Sequence, residues 1–252
     1  GGQSAIERCR RTREAGDYVT PGGFGFPTSN PFVTAPPIGF RNDDAFCLDG
    51  QRLLLVSGAY GANNAVYRPE LDPFTRVTSK GGNNDASPAT YTGPQYFTVE
   101  RRDGSTSEYG NSVDARIERN HCGVSTGIVC AVSAWALNRV EDSTGNYLSY
   151  HYRKFLNTTE TTSGAGSDEY VLSEVRYTGK RVLPGQSASA SAPYARVLFG
   201  YSPDTITQQR GWQAGSQVAQ TLRLDWIKVQ DPFAGTPLTL RYYGLSYATP
   251  GS

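Results

Sequence analysis

Along most of the chain apolar and polar residues alternate with a period of two, and the alternation stops at short clusters of Gly, Asp, Asn, Ser and Pro. The clearest case is "YFTVERRDGSTSEYG", where Phe97 and Val99 alternate with Thr98 and Glu100 before the chain reverses at Asp103-Gly104. That pair predicts a type I′ hairpin turn, in which both central residues take positive φ. "DGQRLLLVSG" predicts an apolar strand led in by Asp49-Gly50, and "AVSAWALNRVEDSTGNYLSYHY", "EYVLSEVRYTG", "YARVLFGYS", "QTLRLDWIKVQD" and "TPLTLRYYGLSY" predict further strands. No stretch carries the i, i+3, i+4, i+7 apolar stripe of an amphipathic helix. The expected fold is all-β, a curved antiparallel sheet of strand–turn repeats over residues 46–252.

Residues 1–45 break the pattern. "TPGGFGFPTSNPFVTAPPIGF" is rich in Pro, which removes backbone donors and fixes φ, so no regular ladder is expected there. Its Phe24, Phe26, Phe32 and Phe40 predict an irregular arm packed on the body. The segments "TSKGGNNDASPATYTGP", "NTTETTSGAGSDE" and "LPGQSASASAP" are polar and long for hairpin loops, and read as mobile insertions. "RVEDSTGNYLSYHY" and "IKVQDPFAGTPLTLRYYGLSY" share a layout of β-branched residue, Asp, Gly-containing turn and Tyr-ended strand, a weak internal repeat. The first copy has two readings: Asp142, Asn146 and Glu141 as oxygen donors to a calcium ion, or Asp142, Gly145 and Asn146 as a hairpin turn. A calcium ion wants six to eight oxygens, roughly, and this loop supplies too few at no recognised spacing. A hairpin uses every residue: Asp142 caps the turn, while Gly145 and Asn146 accept positive φ.

Composition sharpens the picture. A chain of 252 residues with 16 Tyr, 10 Phe and 3 Trp is long enough to bury a core without a stabilising metal. Charge is balanced, 24 Lys+Arg against 23 Asp+Glu, which excludes the strongly basic footprint of a nucleic-acid binder. In "ERCRRTRE", Arg8, Arg10, Arg11 and Arg13 are offset by Glu7, Glu14 and Asp17, and the run reads as a solvated face. No apolar run reaches the roughly 18 residues of a membrane helix. Met is absent, including at position 1, so a processed product or a piece of a longer protein is expected. The cysteines Cys9, Cys47, Cys122 and Cys130 lack zinc spacing, and their even number favours two disulfides. Of three connectivities, Cys9–Cys47 with Cys122–Cys130 is preferred, the loops contributing about 3.9 and about 2.6 kcal/mol by chain entropy. Disulfides imply an oxidising compartment, secreted or cell-surface; four reduced thiols are the alternative.

Candidate chemistry is sparse. "GVSTG" matches G-x-S-x-G around Ser125, but it lies between two cysteines with no helix after it and only His151 downstream. His121 adjoins Cys122, which the preferred pairing removes as a nucleophile. Asp43-Asp44 and Glu100 with Asp103 are carboxylate pairs whose spacing a glycosidase would have to fix in space. Asn157-Thr158-Thr159 is a glycosylation sequon. Exposed Tyr and Trp admit carbohydrate binding, although most aromatics in a β protein are core. No catalytic residue, cofactor site or metal site is assigned.

The order of "GGQSAIERCRRT", "FCLDGQRLLLVSG", "YRPELDPFTRV", "YFTVERRDGSTSEYG", "WALNRVEDSTGNYLSYHY", "LSEVRYTG" and "RYYGLSYAT" resembles the SpvB-like region near the N-terminus of the B component of bacterial Tc toxins and of large Rhs/YD-repeat proteins. The resemblance implies YD-like strand–turn repeats that form wall in a hollow β-shell, with no catalytic residues to carry over. The expected function is a non-catalytic shell or scaffold segment of a large secreted or toxin-like protein. Expected partners are the remainder of a parent chain, other toxin-complex subunits or a second copy, with no nucleic acid. A secreted carbohydrate- or protein-binding β module is the alternative.

Overall fold

A computed structural model describes residues 3–10, 38, 44–82, 93–119, 132–161, 166–185, 187, 189–213, 216–231 and 237–247. Among them every regular element is a strand. The first group comprises β1 (Ala5–Cys9), β2 (Ala45–Leu48), β3 (Gln51–Ser57), β4 (Val66–Pro69), β5 (Arg76–Lys80), β6 (Tyr96–Glu100), β7 (Thr106–Tyr109), β8 (Arg116–Glu118) and β9 (Val132–Glu141). The second comprises β10 (Asn146–Leu156), β11 (Thr159–Thr161), β12 (Glu169–Lys180), β13 (Ala195–Pro203), β14 (Gln209–Gln213), β15 (Ser216–Gln220), β16 (Leu222–Asp231) and β17 (Leu238–Gly244). All strand pairings are antiparallel.

Strands β1 to β7 follow one another in the sheet, and β9 joins β7 to β1, closing an eight-stranded barrel. The period-two residues read from the sequence point inward. Phe46, Leu48, Leu53, Tyr67, Val77, Phe97, Val99, Tyr109, Trp135 and Leu137 form one buried cluster. Trp135 stands edge-on to Phe46 at 5.5 Å and to Phe97 at 5.0 Å, and its indole Nε1 donates to the Pro94 carbonyl at 2.9 Å. Gly110 (φ 74°) lies against it, where a Cβ would come within 2.4 Å of the ring.

Two expectations about the N-terminal segment are corrected. Ala5–Cys9 is not part of an irregular arm: it is the strand that completes the barrel, with Ile6 opposite Leu48 on one side and Trp135 on the other. Arg8 is not on a solvated face either, because strand alternation turns it into the barrel. There its Nε donates to the Val132 carbonyl at 2.7 Å, its Nη1 pairs with Asp44 at 3.0 Å, and its guanidinium lies 5.6 Å from the Trp135 ring. A buried charge needs such a partner. Cys9 is bonded to Cys47 across β1 and β2, with Cα atoms 5.9 Å apart. Cys122 and Cys130, with His121 and Ser125, lie outside the described residues, as does most of the Pro-rich arm.

β9 belongs to two structures. Its first half lies between β1 and β8, and its second half between β7 and β10, so that Val140 faces both Ser107 and Leu148. From β10 the sheet runs on as β10-β12-β13-β16-β17 and does not close among the described residues. Both copies of the weak repeat are hairpins, β9–β10 and β16–β17. Register divides this open sheet into two faces. Tyr150, Val175, Val197 and Val229 share the apolar face, and Ser149, Arg176, Arg196 and Gln230 share the polar one. Around Tyr152 and Leu172 a second, smaller cluster gathers Tyr150, Tyr170, Val175 and Phe199.

Candidate functional site

The turns singled out in the sequence are all turns, but not all of the expected type. Asp49 and Gly50, with φ of 50° and 80°, are the two central residues of the β2–β3 hairpin, which closes on the Leu48–Gln51 pair as a type I′ turn requires. The Asp49 carboxylate also accepts from Ser4 Oγ (2.8 Å) and Ala5 N (3.0 Å), tethering β1. At Asp103-Gly104 the type I′ expectation is corrected. Pairing of Glu100 with Thr106 leaves five residues in the loop, so Gly104 alone takes positive φ, its N–H bonds to the Arg101 carbonyl, and Asp103 accepts from Ser105 N at 2.9 Å. The Asp142 loop repeats this layout between Glu141 and Tyr147. Gly145 has φ 89°, whereas Asn146, expected at positive φ, does not. Asn146 instead donates to Asp142 through its backbone N (2.9 Å) and its Nδ2 (2.8 Å), and Thr144 donates through N and Oγ1, each at 2.8 Å. These donors, Asn146 foremost, hold the Asp142 carboxyl far below the usual carboxylate range. An oxygen pair so occupied has little left for a cation. Beside it, burial works to raise Glu141, but bonds from Arg181 and Arg139 outweigh it and hold that carboxyl low.

The other candidates separate. Asp44 is committed to Arg8, and Glu100 pairs with Arg76 at 3.6 Å across the barrel wall. His151 sits on the polar face, its Nε2 3.3 Å from Ser149 Oγ and its Nδ1 3.7 Å from Asp114, whose carboxylate accepts from Tyr152 N at 2.9 Å. Serine, histidine and aspartate are thus in line, but Ser149 lies within strand β10 rather than on an elbow, and none of the three lines a cavity described here. Asn157 and Thr158 (φ 49° and 68°) form the exposed two-residue β10–β11 turn. Among the described residues no group of three or more His, Cys, Asp or Glu side chains converges on a metal position, and no helix is long and apolar enough to cross a membrane.

What the sequence did not single out is a cleft of about 690 Å³ on the apolar face of the open sheet, bounded by the β14–β15 hairpin. Tyr152, Tyr170, Tyr201 and Tyr247 line it with Leu224 and Arg223. Three of the hydroxyls are tied to backbone carbonyls: Tyr152 to Leu137 (2.7 Å), Tyr201 to Leu172 (2.9 Å) and Tyr247 to Leu224 (2.6 Å). Burial raises the pKa of Tyr152, Tyr170 and Tyr201. Two carboxylates belong to the wall and are also occupied. Glu169 accepts from Thr221 N (2.8 Å), Thr221 Oγ1 (2.5 Å) and Leu222 N (3.0 Å). Asp204 accepts from Ile206 N (2.8 Å), Thr207 N (3.1 Å) and Thr207 Oγ1. Arg223 differs: its guanidinium lies 5.1 Å from the Tyr247 ring, and its buried Nε has no hydrogen-bond partner among the described residues. Alternating Tyr positions in several strands were visible in the sequence, but not their convergence.

The second notable surface is β17. All seven of its residues are exposed, Leu238 at 64% and Tyr242 at 57%, and among the described residues it pairs with β16 alone. Arg241 is its one charged side chain.

No protein-family model matches the chain, and no curated protein matches it significantly. Solved structures do. The N-terminal domain of the effector protein SpvB from Salmonella typhimurium strain LT2 is similar over 98% of this chain and 82% of that one, with a TM-score of 0.62 and 15% identity. The chain has the fold of that domain. A TcdB2-TccC3-Cdc42 crystal structure is similar over 98% of this chain at a TM-score of 0.63 and 14% identity. The Photorhabdus luminescens Tc holotoxin pore gives 0.61 and 16% over the same share. The chain spans only 12% of each of those two toxin chains. The resemblance carried by "FCLDGQRLLLVSG" and the motifs after it is therefore matched in three dimensions, and at this identity it is a likeness of fold.

Proposed function

We propose that the chain is a structural wall segment of a larger secreted or toxin-like assembly, of the Rhs or Tc kind, without chemistry of its own. The observation that carries this reading is β17. A seven-residue strand that, among the described residues, has both faces exposed and one edge open is an aggregation hazard in a free domain, and it is tolerable where another strand extends the sheet. That strand would come from the rest of a parent chain or from another toxin-complex subunit, and an isolated chain would pair with a second copy. The likeness to domains of much larger Tc toxin chains supports the reading, and the Cys9–Cys47 bond is compatible with export to an oxidising compartment. The test is the intact mass of the polypeptide that carries this sequence in its native source, by immunoblot and mass spectrometry. A species several times the size of a single ordinary domain is expected. A mature secreted species of about this chain's own size would refute the wall segment.

One observation favours the runner-up, a carbohydrate- or protein-binding module. Trp212 is 76% exposed, and Trp226 stacks on Tyr242 at 6.4 Å on the polar face of the open sheet. Tryptophan fluorescence titrated with soluble glycans would show saturable quenching under that reading and none under the first.

A further inference from the structure

We propose that the cleft on the apolar face of the open sheet is a binding site for a small aromatic carboxylate, its ring packed on the tyrosines and its carboxylate bonded to Arg223. The cleft's volume, about 690 Å³, falls within the roughly 300–1,000 Å³ of ligand sites. The tyrosines decide the apolar half of the ligand. With the hydroxyls of Tyr152, Tyr201 and Tyr247 spent on the carbonyls of Leu137, Leu172 and Leu224, those rings are held in place and offer ring surface rather than hydrogen-bond donors. Planar aromatic groups gain from such walls through stacked and edge-to-face contacts. A sugar, which must satisfy many hydroxyls, would find few donors on them.

The polar half follows from which groups have capacity left. Each of Glu169 and Asp204 already accepts three hydrogen bonds, from Thr221 and Leu222 and from Ile206 and Thr207 respectively. The Arg223 side chain makes none to the described residues, and its Nε is shut away from water beneath Tyr247. A buried Nε in that state needs an acceptor, and a carboxylate matches the planar fork it forms with the rest of the guanidinium. The charge of Asp204 opposes the same ligand, because Arg223 already acts on Asp204 electrostatically. Binding must therefore compete with Asp204, which gives the site a sign that a generic greasy cleft would lack.

The experiment titrates the 252-residue chain with 2-naphthoate by calorimetry, alongside the uncharged 2-naphthalenemethanol and the cationic 2-naphthylmethylammonium. Saturable binding of 2-naphthoate is expected. Arg223→Gln should weaken it about tenfold or more, the scale of one charge-assisted hydrogen bond. Asp204→Asn, which keeps an acceptor in its turn while removing the competing charge, should tighten it about threefold. Ile206→Trp, at the exposed rim of the cleft, should block it without touching Arg223. Circular dichroism of each variant separates lost binding from lost folding. Equal binding of the alcohol, tighter binding of the ammonium, an unaffected Arg223→Gln variant that remains folded, or no saturable binding of 2-naphthoate would each overturn the site. None of these results bears on β17, so the wall reading is tested separately.

Discussion

The barrel and the open sheet are made of the same kind of strand, yet they solve the edge problem differently. In the barrel closure on β9 gives each strand a neighbour on both sides, and the inward side chains, Trp135, Tyr67, Phe97 and Phe46 among them, are wholly buried. Beyond β9 the same alternation continues without closure among the described residues, burial thins from β12 to β16, and at β17 nothing is buried at all. Side-chain chemistry does not explain the contrast, for β17 carries two Leu and two Tyr. What differs is whether a second surface is present. A closed ring is its own partner, whereas an open sheet needs one supplied.

The sharpest way to break that contrast is to empty the barrel. Trp135→Ala should cost about 3–5 kcal/mol in urea unfolding, because the indole fills the centre of the cluster and its Nε1 bonds Pro94. If the barrel were no more tightly packed than the sheet, the loss would match that of Tyr243→Ala on β17, expected within about 0.5 kcal/mol. Next in size is the Cys9–Cys47 bond. Replacing both residues by Ser should lower unfolding stability by about 2–4 kcal/mol, since the bond joins positions 38 residues apart in sequence. Unfolding followed by a barrel reporter and a sheet reporter would show whether that loss reaches β12 to β17 or stops at β9.

At β17, Leu238→Lys with Leu240→Lys should leave the unfolding midpoint almost unchanged, because both side chains are exposed. The double variant should abolish concentration-dependent association in light scattering, as charges on an open edge do. A wild-type chain that stays strictly monomeric at high concentration would mean that the edge is protected by something other than a partner. The smallest expected effect is in the turns. Asp142 has a folded pKa below its unfolded value, so its contribution is fully present above about pH 4 and is lost as pH falls through the folded value. Asp142→Asn should therefore lower the neutral plateau of a melting-temperature profile slightly and converge with the wild type at the acid end, which flattens the acid limb.

Much of the β plan was legible because it is local. The alternation through Phe97 and Val99, the Asp-Gly pairs and the long run "VSAWALNRV" mark strands and reversals without knowledge of partners. Turn type was only half legible. Asp49-Gly50 and Asp103-Gly104 look alike in sequence, but pairing at Leu48–Gln51 allows two loop residues and pairing at Glu100–Thr106 imposes five. Closure was not legible, because Ile6 meets Trp135 across most of the barrel's sequence, and the arginines around Cys9 masked a strand that buries one of them. Nor was the cleft. Its tyrosines come from β10, β12, β13 and the segment after β17, and only the sheet's register and curl bring them together.

The position of β9 also predicts an order of assembly. A chain that emerges N-terminus first through a narrow export channel into an oxidising compartment presents β1 to β7 as a sheet with two raw edges until Val132–Glu141 appears. Throughout that interval the barrel aromatics stand uncovered, and the Cys9–Cys47 bond is the covalent latch that can keep β1 beside β2 while it waits. The arrival of one ten-residue strand then shuts the ring and at the same moment offers β10 its template. Chaperone demand should peak just before that strand and fall sharply after it.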